Sequence, residues 1–124
     1  MNKRRPVYLS MFQFAWPITA LASIAHRASG IVLFAGIGYL LWLLDLSLSS
    51  QSGFADAQEV MAEPIPKLIL VGVLAMLLYH LIAGIKHLLM DFHIGDSFAA
   101  ASANSIASFV ITAVLTLGMG VWLW

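Results

Sequence analysis

Three long apolar stretches, residues 28–46, 68–90 and 106–124, decide what this chain can become. Spanning a bilayer as a helix takes about 20 predominantly apolar residues, and each stretch meets that length. With 61% hydrophobic and 10% charged residues in 124, the chain has more apolar surface than a soluble domain of its size can bury. The expected fold is all-α: an integral membrane protein with three transmembrane helices in a single membrane domain, residues 1–124.

The boundaries follow from local chemistry. Residues 1–16 form a mixed, basic tail. Pro17 is tolerated in a first helical turn, so the first helix is expected over 17–48. At 1.5 Å per residue that is about 45 Å, longer than the hydrocarbon core. The connecting segment "SLSSQSGFADAQEVMAEPIP" reads as an external loop with a short surface helix over 55–62, ended by Pro64 and Pro66. A second helix is expected over 67–92, then the turn "HIGDS", then a third helix over 104–124 that carries no charge and no histidine. The first 25 residues make a poor secretory signal, because Pro6, Gln13 and Pro17 break the apolar run such a signal needs.

Charge placement sets orientation. Lys3, Arg4, Arg5 and Arg27 precede or open the first helix, whereas the loop after it holds Asp56, Glu59 and Glu63 and no basic residue before Lys67. The positive-inside rule then predicts a cytoplasmic N-terminus and an external C-terminus, with Trp42, Trp122 and Trp124 at the outer interface and Trp16 at the inner one. Zero net charge gives no reason to expect nucleic acid as a partner. Without cysteine, the chain itself can ligate no iron–sulfur cluster.

Two polar groups interrupt the apolar pattern. Ser23 and Arg27 lie four residues apart on one face of the first helix, with His26 flanking them. An interfacial arginine that snorkels to headgroups, beside a serine bonded to its own backbone, is the ordinary explanation. On the second helix His80, Gly84, His87 and Asp91 fall at i, i+4, i+7 and i+11 and return to within about 40° of one another. Gly84 leaves space between two imidazoles for something flat. Haem meets that description, with imidazole as its iron ligand; a histidine hydrogen-bonded to a neighbouring helix is the alternative. Because the helices are antiparallel, Arg27 and Asp91 share one membrane face. His80 lies about 10 Å deeper than His87. A haem held at His80 would point its propionates toward His26, Arg27 and His87. No other histidine lies that deep, so a second axial ligand must come from another chain.

These residues carry a resemblance. The run "RPVYLSMFQFAWPITALASIAHRAS", with Arg5-Pro6, Ser23, His26-Arg27 and Ser29, and the run "HLIAGIKHLLMDFH", His80 to His93, are similar to those of the cytochrome b membrane anchors of bacterial succinate dehydrogenase, complex II. The chain departs from that pattern at Lys86, where arginine is expected, and at His93, where a small residue, usually glycine, is expected. Lysine keeps the charge but not the planar fork.

The resemblance implies half of a heterodimeric haem-binding helical bundle in the bacterial inner membrane. Its partners would be a second membrane-anchor subunit, an iron–sulfur subunit and a flavoprotein subunit carrying FAD. Succinate oxidation would then lie in other subunits, with none of its catalytic residues here. His80 would be the axial ligand of a shared haem b, and Ser23 and Arg27 would line the ubiquinone site. Ser23 suits a hydrogen bond to a quinone carbonyl and Arg27 the charge that develops as electrons arrive. Asp91, with His87, is the candidate proton relay. A fumarate reductase anchor running the reverse reaction and a cofactor-free structural anchor are the rival readings.

Overall fold

In a computed structural model of the chain, residues 13–124 are described. They form four helices: α1 (Ile18–Ser49), α2 (Gln51–Ala62), α3 (Pro64–Asp91) and α4 (Phe98–Leu123). Expectations for the basic tail fall largely on residues 1–12, outside the described range. Three of the helices, α1, α3 and α4, are long and apolar enough to cross a membrane, with mean hydropathies of 2.1, 2.5 and 2.1. This is an all-helical, multi-pass membrane fold.

The termini of the helices explain where the sequence pattern misplaces them. Pro64 and Pro66 do not simply end the preceding helix; Pro64 opens α3, in the first turn where a missing N–H costs nothing. The short surface helix is a full α2 from Gln51, started by Ser50, whose Oγ accepts a hydrogen bond from the Gly53 N–H at 2.9 Å. Helix α4 begins at Phe98, capped by Ser97 Oγ accepting from the Ala100 N–H at 3.3 Å. Its first turns, Ala- and Ser-rich, form good helix well before hydropathy rises at Ile106.

Little of the bundle is buried, and much of what is buried is small. Ala22, Ser29, Leu33 and Gly36 form the inward stripe of α1; Val73, Tyr79, Ala83 and Lys86 that of α3; Ala101, Ser105 and Ser108 that of α4. Small residues let helix backbones approach where lipid removes the hydrophobic drive for association. Tyr79 joins the three helices. Its hydroxyl donates to the Ala22 carbonyl at 2.9 Å, and its ring stacks on Phe109 with centroids 5.0 Å apart. At the opposite end of the bundle Tyr39 donates to the Pro66 carbonyl at 3.1 Å, tying α1 to the start of α3. Outward faces are apolar: Ile31 is 76% exposed and Phe34 87%.

The α3–α4 turn closes with a Schellman motif. The Ile94 N–H donates to the Leu89 carbonyl and the His93 N–H to the Met90 carbonyl, both at 2.9 Å. This geometry needs a left-handed residue, and His93 supplies it with φ 60°. A glycine at that position would carry no Cβ penalty, which accounts physically for the small residue expected there. His93→Gly should therefore stabilise the protein by about 1 kcal/mol, read as a higher melting temperature in detergent. An unchanged or lower melting temperature would show that the exposed 3.2 Å contact of His93 with Asp96 outweighs the backbone strain.

Candidate functional site

The interfacial end of α1 meets the last turns of α3 through three imidazoles. His26 projects from α1 onto α3 and lies between the two histidines of the α3 stripe. Its ring stacks on His80 with centroids 4.1 Å apart and planes 20° apart, and on His87 at 5.1 Å and 22°. Parallel rings hold their nitrogens side by side. Accordingly, among the described residues no three His, Cys, Asp or Glu side chains converge on a point that could cage a bare metal ion.

The backbone permits this approach at two glycines. A Cβ on Gly30 would come within 3.1 Å of His80 Cε1, so α1 has no side chain where the His80 ring lies. A Cβ on Gly84 would stand 3.5 Å from His26 Nε2. The space over Gly84, which the sequence pattern reserves for a flat group, is thus bordered by the His26 imidazole. Any planar ligand reaching His80 from this side meets His26 as well.

Hydrogen bonds orient His80. Ser29 Oγ donates to the His26 carbonyl at 2.6 Å; a carbonyl can only accept, so the serine hydrogen is committed there. His80 Nδ1 lies 2.9 Å from Ser29 Oγ and 3.1 Å from the same carbonyl oxygen. Both neighbours present lone pairs, which suits a proton on Nδ1. In the neutral tautomer that carries it there, the Nε2 lone pair is available. This is the arrangement metal-ligating histidines show, with the second nitrogen donating to a carbonyl. His87 is held likewise, its Nδ1–H donating to the Ala83 carbonyl at 2.7 Å.

His26 contributes differently. Its Nε2 is buried and has no hydrogen-bond partner. An orphaned polar atom in an apolar setting is costly, and its usual explanation is a group that belongs beside it. The three histidines, with Leu81, Gly84, Ile85 and Leu88, line a cleft of about 410 Å³ on the outside of the α1–α3 pair. Residue types and cleft would suit a haem: the His80 imidazole with Nε2 available in the Nδ1–H tautomer, two further imidazoles, apolar walls.

Ser23 and Arg27 form a neighbouring pair. Arg27 Nη2 donates to Ser23 Oγ at 3.3 Å, and Nε reaches the Ser23 carbonyl at 3.5 Å. Guanidinium can only donate, so Ser23 keeps its own hydroxyl hydrogen for another acceptor. Asp91, the last residue of α3, is exposed one turn beyond His87. Among the described residues no hydrogen bond or ion pair joins it to His26, Arg27 or His87. The structure therefore brings His26, His80 and His87 together, sets Ser23 with Arg27 beside them, and leaves Asp91 at the rim. Ser29 is the residue whose role the sequence pattern does not reveal. Its spacing of three from His26 was the available signal.

Comparisons with known proteins agree with this architecture. Residues 1–119 match the family model described as succinate dehydrogenase/fumarate reductase transmembrane subunit. The chain is 34% identical to the succinate dehydrogenase cytochrome b556 subunit of Coxiella burnetii over the full length of both. It is 36% identical to the protein of that name from Paracoccus denitrificans, across 91% of this chain and 89% of the relative. With the mitochondrial cytochrome b560 subunit of Sus scrofa it shares 25% identity over 96% of this chain and 72% of that one. A match over nearly the whole length, on a fold of three spans with its histidines at one end, places the chain in the succinate dehydrogenase/fumarate reductase transmembrane subunit family.

Proposed function

We propose that this chain is the cytochrome b membrane anchor of a bacterial succinate:ubiquinone oxidoreductase, holding haem b together with a second anchor subunit and forming one wall of the quinone site. The observation that carries the proposal is the contact of His80 Nδ1 with the His26 carbonyl and Ser29 Oγ, which suits the tautomer whose Nε2 could ligate iron. The names of the relatives favour succinate oxidation over fumarate reduction.

In this reading the chain gives one iron ligand, His80, and the second anchor subunit gives the other. Haem propionates would be met by the Arg27 guanidinium and by His26 Nε2 and His87 beside it, where Arg27 would offset carboxylate charge in a poorly hydrated place. Bound there, haem would supply a one-electron store beside the quinone. Ser23 offers its free hydroxyl hydrogen to a quinone carbonyl. Arg27, held by Ser23, sets a positive charge where negative charge develops on that oxygen. Two protons must accompany two electrons in forming quinol. Asp91, exposed at the end of α3, is positioned to take them from the adjoining water and pass them by way of His87. Electrons would reach the quinone from an iron–sulfur subunit fed by a flavoprotein with FAD. Both would sit on the cytoplasmic side of the inner membrane, with the N-terminus of this chain on the same side and Trp124 periplasmic.

Copurification from detergent tests the proposal as a whole. The chain should bring down three other subunits, and dithionite should develop reduced b-type haem bands. A four-subunit complex with no such bands would favour the cofactor-free anchor.

The quinone assignment is tested apart from haem. Ser23→Ala and Arg27→Leu are expected to lower succinate–quinone activity about ten- to a hundredfold, the effect of losing one hydrogen bond to a developing charge. Succinate oxidation by an artificial dye should be nearly unchanged, and Ser23→Ala should keep its haem. Full quinone reduction by both assembled variants would return Arg27 and Ser23 to an interfacial arginine and its local hydrogen bond.

A further inference from the structure

Lys86 is a cation buried inside a membrane helix bundle, and the site described above makes no use of it. It is 8% exposed and sits about 120° around α3 from the histidine stripe, facing α4. Its ammonium donates to Ser105 Oγ at 2.7 Å, and Ser105, itself fully buried, donates on to the Ala101 carbonyl at 2.7 Å. One neutral hydroxyl does not balance a buried charge; an ammonium away from water needs an anion.

No anion within this chain serves. The chain has six acidic side chains, Asp45, Asp56, Glu59, Glu63, Asp91 and Asp96, all among the described residues. Asp45 stands near the far end of α1, and Asp56, Glu59 and Glu63 lie in or just after α2, at the far end of the bundle. Asp91 and Asp96 are exposed, and the ion pair formed by Asp96 is with His93. The counter-charge for Lys86 must come from outside the chain.

The surroundings of Lys86 indicate its kind. A groove of about 210 Å³ runs between α3 and α4, lined by the polar Lys86, Asn104 and Ser108 and by the apolar Ile82, Ile85, Leu89 and Ile111. Lys86 lies about 7.5 Å from the end of α3 and Asn104 about 9 Å from the start of α4, so both stand within about two helical turns of the interface. Ile85 and Ile111 are about half exposed along the outside of the groove. A cation within reach of headgroup depth, beside apolar walls open on the outer face, suits a lipid. At this volume the groove is far narrower than a helix, about 10–12 Å across. Lysine suits phosphate as a compact point charge, and basic pockets between membrane helices bind anionic headgroups.

We propose that the α3–α4 groove at Lys86 binds the phosphate of an anionic phospholipid, with one acyl chain lying along Ile82, Ile85 and Ile111. The site is separate from the histidine cluster, so it stands whether or not haem binds at His80.

Native mass spectrometry of the detergent-purified complex, titrated with phosphatidylglycerol or phosphatidylcholine, tests this. The unaltered complex should retain phosphatidylglycerol in preference to phosphatidylcholine. Lys86→Met should weaken that retention about tenfold or more, the loss of a charge-assisted hydrogen bond, and Lys86→Arg should largely restore it. Should Lys86→Met fail to assemble, Asn104→Asp gives an independent reading, because residue 104 is exposed and the change is nearly isosteric. Its carboxylate would pair with Lys86 and displace the phosphate, again lowering phosphatidylglycerol retention. Equal retention in Asn104→Asp or Lys86→Met and the unaltered complex would overturn the site. So would loss of a partner subunit from Lys86→Met with lipid occupancy unchanged, which would assign the counter-charge to a protein carboxylate.

Discussion

One hydrogen-bonded knot organises the functional end of this protein: the His26 carbonyl, the Ser29 hydroxyl and His80 Nδ1 lie within 3.1 Å of one another, joining neighbours on α1 to a histidine of α3. It locks α1 to α3 and orients the His80 ring. It also determines where His26 goes, since the residue that lends its carbonyl to His80 lays its own ring across His80 and His87. Breaking the knot would cost more than a helix contact. A buried imidazole N–H in lipid surroundings would be left without an acceptor.

Around that knot the bundle sorts its polar groups by helix pair. The α1–α3 interface holds the three imidazoles, with the Ser23–Arg27 pair on α1 nearby, and the α3–α4 interface holds Lys86 with the hydroxyls of Ser105 and Ser108. Ionisable groups within a membrane are retained where they meet a partner or do work. Here α3 presents one set to each neighbour. Tyr79 stands between them, bonded to the α1 backbone and stacked on α4, and keeps the two polar regions in separate surroundings.

Much of this was legible in the sequence because lipid simplifies the reading. Apolar length alone marks three spans, and helical periodicity alone gathers His80, Gly84 and His87 on one stripe. The misreadings have equally local causes. Hydropathy could not find the start of α4, because its Ala- and Ser-rich first turns are only weakly apolar, yet alanine is the best helix former and Ser97 caps them. Pro64 reads as a terminator unless its position in a first turn is known. Gly84 reads as empty space because periodicity on one helix says nothing of what a second helix inserts; His26 borders that space. Ser29 is small and ordinary in sequence, and only the meeting of α1 with α3 makes it the acceptor for His80 Nδ1–H. Lys86 looks like a conservative replacement until its burial against α4 shows a charge lacking a counter-ion within the chain.

The claim on which the functional account depends is that His80 is the axial ligand contributed by this chain. The most direct measurement is the dithionite-reduced absorption spectrum of the intact complex carrying His80→Leu, compared with the unaltered complex at equal protein. The account requires the b-type bands to be lost or strongly diminished, since no other histidine of the chain has its Nδ1 pinned at that depth. A reduced spectrum of normal intensity and position would contradict it and direct attention to the buried, unpartnered Nε2 of His26 as the ligand.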